Sequence, residues 1–235
     1  RGAVRSLVQG AQLPDEAARQ FFARHLYSYF AAAVLMPYGR FLRACEQTGY
    51  DLAILQRRFG VSFEQVAHRL TTLHRVGQRG LPFFMARIDR AGQFSKRYAG
   101  ASGALLLESE FSCPLWNIHQ AFAKSGRISV QLISVDEGGQ GEREWLTLAA
   151  AGEGRGTGGT EDVEFVTVVG VEAKLASSLA QARGIAFEPA AATPVGPGCE
   201  RCFRPDCLQR SIPPRGVALR FEERVQGATP FVFAD

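Results

Sequence analysis

Apolar residues recur at helical spacing over the first third of the chain and at strand spacing after it. Phe22, Leu26, Phe30 and Val34 stand four residues apart, which predicts a helix with one apolar face. Pro14, Asp15 and Glu16 open it, Pro first and acids in the first turn, the order a helix N-terminus favours. Pro37 ends it. A second helix is expected from about Tyr38 to Thr48, closed by Gly49, and a third from Asp51 to Phe59, closed by Gly60. Ser62-Phe-Glu-Gln65 has the form of a capping box and starts a fourth, which the next glycine signal closes near Gly77.

From Leu81 the period changes to two. Phe83 to Asp89 and Phe94 to Tyr98 read as strands around a turn at Arg90-Ala-Gly92-Gln. Pro114 to Phe122 reads as helical. Arg127–Val135, Glu144–Ala149 and Val163–Val171 read as further strands, and Ala173 to Ala182 as a short helix. The Gly-rich segment 151–159 between the last two strands lacks the strand-then-helix setting of a phosphate loop, so it is expected to be a hairpin tip. The predicted class is α+β. A helical subdomain at 1–78 is followed, at 79–235, by a mostly antiparallel sheet domain with a cysteine loop near its C-terminus.

Composition adds bounds. Of 235 residues, 46% are apolar and 21% charged, ordinary for a globular protein. No apolar run approaches the roughly 18 residues of a membrane span, so no transmembrane helix is expected. A net charge of +4 does not announce nucleic-acid binding by itself. Lys occurs only at Lys96, Lys124 and Lys174. The resulting Arg excess fits codon bias as readily as phosphate recognition. Starting at Arg1 rather than Met, the chain is expected to be an excised domain with an upstream partner.

The chemistry concentrates in Cys199-Glu-Arg-Cys202-Phe-Arg-Pro-Asp-Cys207, framed by Gly196, Pro197 and Gly198. Glycine and proline keep this stretch out of helix and strand and let a short loop wrap thiolates around one point. Cys113, in Phe111-Ser112-Cys113-Pro114, is the candidate fourth ligand. Four thiolates suit either zinc or an iron–sulfur cluster. A disulfide with a spare thiol, or reduced thiols that merely pack, are the plainer alternatives, and Cys45 reads as a small buried hydrophobe. Leu55 to Val66 has the outline of a helix-turn-helix, with Arg57, Arg58, His68, Arg69, His74 and Arg75 as available donors. The preferred reading is a helical hairpin whose Phe63, Val66, Leu70 and Leu73 face is core. His25, His68, His74 and His119 are scattered, none lies in H-E-x-x-H, and nothing in the sequence argues for an enzyme.

Two family resemblances order these observations. Tyr29-Phe30-Ala-Ala-Ala-Val-Leu-Met36-Pro37, with Arg58-Phe-Gly-Val-Ser62-Phe-Glu-Gln-Val66-Ala-His-Arg69-Leu70, resembles the ImmA/IrrE metallopeptidase-like domain. Active members carry H-E-x-x-H and then a Glu shortly before the Phe-Ala-Ala run. Here the first is absent and Leu26 stands about where the Glu would be. The resemblance therefore implies a peptidase scaffold reused for packing or binding.

The second half resembles the C-terminal domain of short-chain fatty acyl transcriptional regulators. The resemblance rests on Arg87-Ile-Asp89-Arg90-Ala-Gly92, Ser95-Lys96-Arg97, Cys113-Pro-Leu-Trp116-Asn117 and Gly196-Pro-Gly-Cys199-x2-Cys202-x4-Cys207-x-Gln209-Arg210. It implies a regulator of propionate, methylcitrate and glyoxylate metabolism, a cytoplasmic homodimer reaching DNA through an upstream helix-turn-helix domain. It also implies coenzyme A or a short acyl-CoA as ligand and a 4Fe-4S cluster at Cys113, Cys199, Cys202 and Cys207. A polyphosphate ligand needs fixed cations, and the basic run offers Arg87, Arg90, Lys96 and Arg97, with Tyr98 and Trp116 to cover the adenine. Read alone, that run could equally be a solvated hairpin face. Strand alternation puts Lys96 and Arg97 on opposite faces. The alternatives are a zinc-stapled interaction module and a metallopeptidase of the ImmA/IrrE type.

Overall fold

Cap chemistry sets the helices. The computed structural model describes residues 2–109, 111–124, 126–136, 141–152, 164–205, 207–220 and 232–233. Helix α1 spans Gly2–Gly10 and α2 Glu16–Leu35, where the Asp15 carboxylate accepts the Ala18 N–H at 2.7 Å. Helix α3 (Tyr38–Thr48) closes on Gly49 in the left-handed region, at φ 58°. Asp51 caps α4 (Leu52–Phe59), and the Ser62/Gln65 capping box forms at the start of α5 (Phe63–Leu70). These caps satisfy N–H groups that a helix start otherwise leaves orphaned.

Helix α5 stops at Leu70, short of the expected Gly77. Gly77, at φ 78°, instead lies in the two-residue loop between β1 (His74–Arg75) and β2 (Gln78–Arg79), paired Arg75 to Gln78. A glycine that accepts positive φ is what such a tight hairpin needs. Tyr38 Oη holds this hairpin to α3, accepting the Arg75 N–H at 3.0 Å and donating to the Gln78 carbonyl at 2.6 Å.

The main sheet comprises β3 (Phe84–Ile88), β4 (Phe94–Tyr98), β5 (Ser129–Asp136), β6 (Glu142–Gly152), β7 (Phe165–Glu172) and β8 (Thr193–Pro194). Its order is β4-β3-β7-β6-β5-β8, antiparallel throughout except where β8 runs parallel to β5. A separate antiparallel pair joins β9 (Leu219–Arg220) to β10 (Val232–Phe233). The architecture is α+β. The expected helices at 114–122 and 173–182 are 3-10 turns at Asn117–Ala123, Ala173–Ser178 and Ala180–Ala182, the form short connectors often take. The hairpin tip expected at 151–159 falls, from residue 153 on, outside the described residues.

Both sheet faces are buried. Met85, Leu146, Leu148 and Val169 face α3–α5 and pack with Phe41, Leu55, Val66 and Leu70, so helices and sheet share one core. Phe84, Ile88, Trp145 and Val168 face the other way and pack with Trp116, Ile118, Cys113 and Val195. Gly170 makes the second layer possible, because a Cβ there would stand 2.3 Å from the Phe84 ring. Phe84 meets Trp145 edge-to-face at 5.3 Å, the geometry the ring quadrupoles favour.

Helix α2 departs from the amphipathic expectation. None of its residues is buried; Phe30 and Val34 are exposed, Val34 at 76%. Helix α5, by contrast, is clamped between α2 and strands β6 and β7, with only Ser62 at its cap and Gln65 exposed among residues 62–70. Its Arg69 is buried, donating to the Met36 carbonyl and Thr72 Oγ1. The helix-turn-helix outline is therefore a packing hairpin, since its second helix presents no face to a DNA groove. Among the described residues no helix is long and apolar enough to cross a membrane.

Candidate functional site

The parallel strand β8 delivers the chain to the cysteine loop. Val195 N–H donates to the Ser134 carbonyl of β5 at 2.8 Å, and Gly196, Pro197 and Gly198 follow at the sheet edge. Gly196 lets this segment lie against a thiol, because a Cβ on it would come within 2.6 Å of Cys202 Sγ. Gly198, at φ 85°, brings the loop onto the Phe111 carbonyl beside Cys113. Cys113 is buried, Cys199, Cys202 and Cys207 are half-buried, and none is in a disulfide. Burial raises the Cys113 pKa, opposed by hydrogen bonds from the Gly196 and Leu115 backbone, while Cys202 and Cys199 add to the rise. Cys113 is thus the electrostatic neighbour of two loop cysteines from across some 90 residues of sequence.

These residues fit a sulfur-ligated group by donor type and by backbone N–H groups aimed at sulfur, as such centres use to tune their ligands. Among the described residues, no three His, Cys, Asp or Glu side chains converge closely enough to hold a single ion. His119 is not a ligand candidate in this arrangement. Its Nε2 bonds Ser112 Oγ at 3.1 Å, and Ser112 Oγ donates to the Gly92 carbonyl at 3.0 Å. It pins the Cys113 segment to the β3–β4 turn, and burial lowers its pKa. Cys45 lies in the helix-side core, where burial pushes its thiol up to about 12.

The basic hairpin β3–β4 divides its side chains between the two faces. On the helix side, Glu64 of α5 accepts from Arg87 Nη1 at 3.2 Å and from Lys96 Nζ. Arg87 also bonds Ser95 and lies over the Phe165 ring at 4.3 Å. Tyr98 meets His68 edge-on at 4.7 Å, and His68 lies 6.4 Å from His25 of α2. Burial works to raise the Glu64 pKa, but Lys96 and Arg87 outweigh it and hold the carboxyl below its ordinary value. His68 is pushed down, by burial first and then by Lys96 and His25. Lys96, Tyr98, Glu64 and His68 line a groove of about 440 Å³ whose opposite wall is α2, with Phe21, Arg24, His25 and Tyr29.

The remaining candidates lie elsewhere. Arg97 faces the opposite layer, donating to the Leu107 carbonyl at 3.2 Å over the Phe94 ring. Arg90 pairs with Glu164 at the hairpin turn and lies over Phe122. Trp116, expected to cover an adenine, is 1% exposed, and its indole N–H donates to Thr147 Oγ1 at 3.2 Å inside the core. The structure thus brings Arg87, Lys96 and Tyr98 together and leaves Arg90, Arg97 and Trp116 apart.

Residues 72–231 match the family described as short-chain fatty acyl coenzyme A regulator, C-terminal. The chain belongs to the short-chain fatty acyl coenzyme A regulator family. Ahead of that region, residues 9–71 match the IrrE N-terminal-like domain. Similar curated proteins are the HTH-type transcriptional regulator PrpR of Mycobacterium tuberculosis, 39% identical over 88% of this chain and 42% of its own length, and the HTH-type transcriptional regulator RamB of the same species, 36% identical over 97% of this chain and 48% of its own. A propionyl-CoA carboxylase regulator of Cereibacter sphaeroides is 37% identical over 96% of this chain and 48% of its own length. A solved Mycobacterium tuberculosis transcriptional regulator superposes with a TM-score of 0.89 at 36% identity, covering 98% of this chain and 69% of that one. The chain spans less than half the length of these curated relatives.

Set against this family's fold, sequence reasoning missed most of the groove. Arg24, His25, Glu64 and His68 carried no local signal that would join them, because α2, α5 and β4 meet only in the fold. Arg210 stood in the quoted motif without a role, and it is buried behind the cysteine loop.

Proposed function

We propose that this chain is the ligand-sensing part of a transcriptional regulator of short-chain fatty acid metabolism. In this reading it takes coenzyme A or a short acyl-CoA in the groove between α2, α5 and β4. The observation that carries the reading is the groove's composition, in a family described by acyl-coenzyme A regulation. Arg24 and Lys96, backed by Arg87, supply cations for phosphates, and Phe21, Tyr29 and Tyr98 supply rings for a base. Its volume of about 440 Å³ lies in the range of small-molecule sites. DNA contact belongs to a part outside this chain, consistent with HTH-type relatives more than twice as long and with the burial of α5.

The cysteine centre is read as holding a 4Fe-4S cluster on Cys113, Cys199, Cys202 and Cys207. Such a group would supply one-electron redox chemistry. The chain's own residues fix where the sulfurs stand: Gly196 abuts Cys202, and the Gly196 and Leu115 backbones bond Cys113.

Calorimetry with coenzyme A, acetyl-CoA and propionyl-CoA tests the ligand reading. Lys96→Ala should weaken binding about tenfold, from about 1.5 kcal/mol for a charge-assisted hydrogen bond. Arg97→Ala, on the opposite face, should leave it unchanged. No heat with any of the three ligands ends the reading, and equal loss in both variants moves the site off this groove.

A further inference from the structure

Arg210 stands three residues past Cys207 and is only 4% exposed. Its Nη1 donates to the carbonyls of Cys199 at 3.3 Å and Cys202 at 3.0 Å, and its Nη2 donates to the Arg204 carbonyl. Its own N–H donates to the Cys207 carbonyl at 3.3 Å. One planar group therefore ties together residues 199, 202 and 204, and the backbone beside it ties in 207. Two of the loop cysteines are held by the Arg210 side chain and the third by its backbone.

Within itself the 3-10 turn at Cys199–Arg201 has one turn of backbone hydrogen bonding, Arg201 N–H to Gly198 and Cys202 N–H to Cys199, and its middle residue Glu200 is held from outside by the Arg215 N–H and side chain. A loop this short does not hold its own shape. The guanidinium supplies what the turn lacks, because its fork of donors is rigid and reaches several carbonyls at once. A buried cation also needs hydrogen bonds and compensating negative charge. Carbonyl dipoles meet the first need and part of the second; thiolate sulfurs on the same loop would supply more.

We propose that Arg210 is the positioning residue of the cysteine centre. It fixes the turn that presents Cys199 and Cys202, and its charge offsets thiolate charge and so raises the reduction potential of the group bound there. The potential and metal-retention parts of this inference rest on the iron–sulfur reading; the positioning part does not. Lysine keeps the charge but offers one point of attachment, and methionine keeps the length but neither charge nor fork. The two substitutions therefore separate geometry from electrostatics.

The experiment compares wild type, Arg210→Lys and Arg210→Met, each first checked for native secondary structure by circular dichroism. In reduced, metal-free protein, hydrogen exchange of amides 198–204 should be at least tenfold faster in both variants than in wild type. After anaerobic reconstitution with ferrous iron and sulfide, loss of iron to a chelator should be at least tenfold faster in both. The midpoint potential should fall in Arg210→Met and fall less in Arg210→Lys. Wild-type exchange and chelator rates in Arg210→Lys overturn the positioning role, and an unchanged potential in Arg210→Met overturns the charge role. Should Arg210→Met not fold, Arg210→Lys still decides positioning. Wild-type protein that takes up no iron and sulfide defeats the cluster reading, while the exchange rates still judge Arg210.

Discussion

Gly196→Ala removes no thiol, yet it should weaken the hold of the cysteine centre on the proposed cluster. An alanine Cβ would lie 2.6 Å from Cys202 Sγ and 3.0 Å from Cys202 Cβ, against the roughly 3.5–4.0 Å that unbonded heavy atoms prefer. In metal-free protein the Cys202 sulfur, half-buried and in no disulfide, can rotate away, leaving the 3.0 Å Cβ contact for the loop backbone to absorb, so stability should fall by about 1 kcal/mol, the low end of overpacking. A ligating Cys202 has no such freedom, because its sulfur must stay on the metal. Displacing a residue that orients a ligand costs about 10–100-fold in affinity, or about 1.4–2.8 kcal/mol, the same range as a small overpacking of about 1–3 kcal/mol. The assay is iron and sulfide per chain after anaerobic reconstitution, with chelator competition and the melting temperature of the metal-free form. Gly10→Ala, with nothing within 4 Å of its Cβ, is the control. A Gly196→Ala protein that holds iron as tightly as wild type would refute the placement of Cys202 as a ligand against this backbone.

Gly170→Ala should cost about 1–3 kcal/mol by driving a methyl into the Phe84 ring, lowering Tm by about 2–4 °C per kcal/mol in a chain this long; an unchanged Tm would unseat Phe84 from that position. His68 tests the groove by pH. Its folded pKa is lowered, so the unfolded chain takes the proton first, and stability present above the ordinary value of about 6.5 is lost as pH falls below it. Lys96, His25 and Arg69 press that pKa down and Glu64 presses it up. His68→Gln should flatten the fall in Tm between about pH 6.5 and 5, above the range in which the depressed Glu64 carboxyl titrates; an equally steep fall in the variant would place the acid sensitivity elsewhere. No peptidase activity is expected, since metal-dependent hydrolysis needs closely spaced ligands and an activated water, and H-E-x-x-H is absent. Chelator-sensitive cleavage of a peptide library would contradict this.

Local signals transferred to the structure where the chemistry was local. The Ser62/Gln65 box caps the helix it was expected to cap, and Asp15 and Asp51, expected inside the first turns, stand one position earlier as N-caps, because cap signals act within one turn. Strand positions held to within a few residues for the same reason, alternation being a property of neighbours. Gly77 misled because a glycine that ends a helix and one that turns a hairpin carry the same residue and the same positive φ. Helix α2 misled differently: four apolar residues at helical spacing predict a buried face only if something lies opposite, and its Tyr27, Tyr29 and Phe30 make it apolar well beyond one stripe. Such a helix is not a surface helix of the usual amphipathic kind.

The candidate sites followed the same division. Cysteine spacing within nine residues is visible in any reading, whereas Cys113 and Arg210 join that loop only through folding. Alternation placed Lys96 and Arg97 on opposite faces, as the structure has them, but could not say which face held the groove, because Glu64 is 32 residues away. One consequence of that alternation reaches both sites. Hairpin β3–β4 offers Lys96 and Tyr98 to the groove, while its turn at Gly92 accepts bonds from Ser112, next to Cys113. A Cβ on Gly92 would press on Ser112 Oγ at 3.0 Å and His119 at 3.1 Å, so the turn cannot shift without moving the cysteine segment. The hairpin thus meets the groove through Lys96 and Tyr98 and the cysteine segment through Gly92.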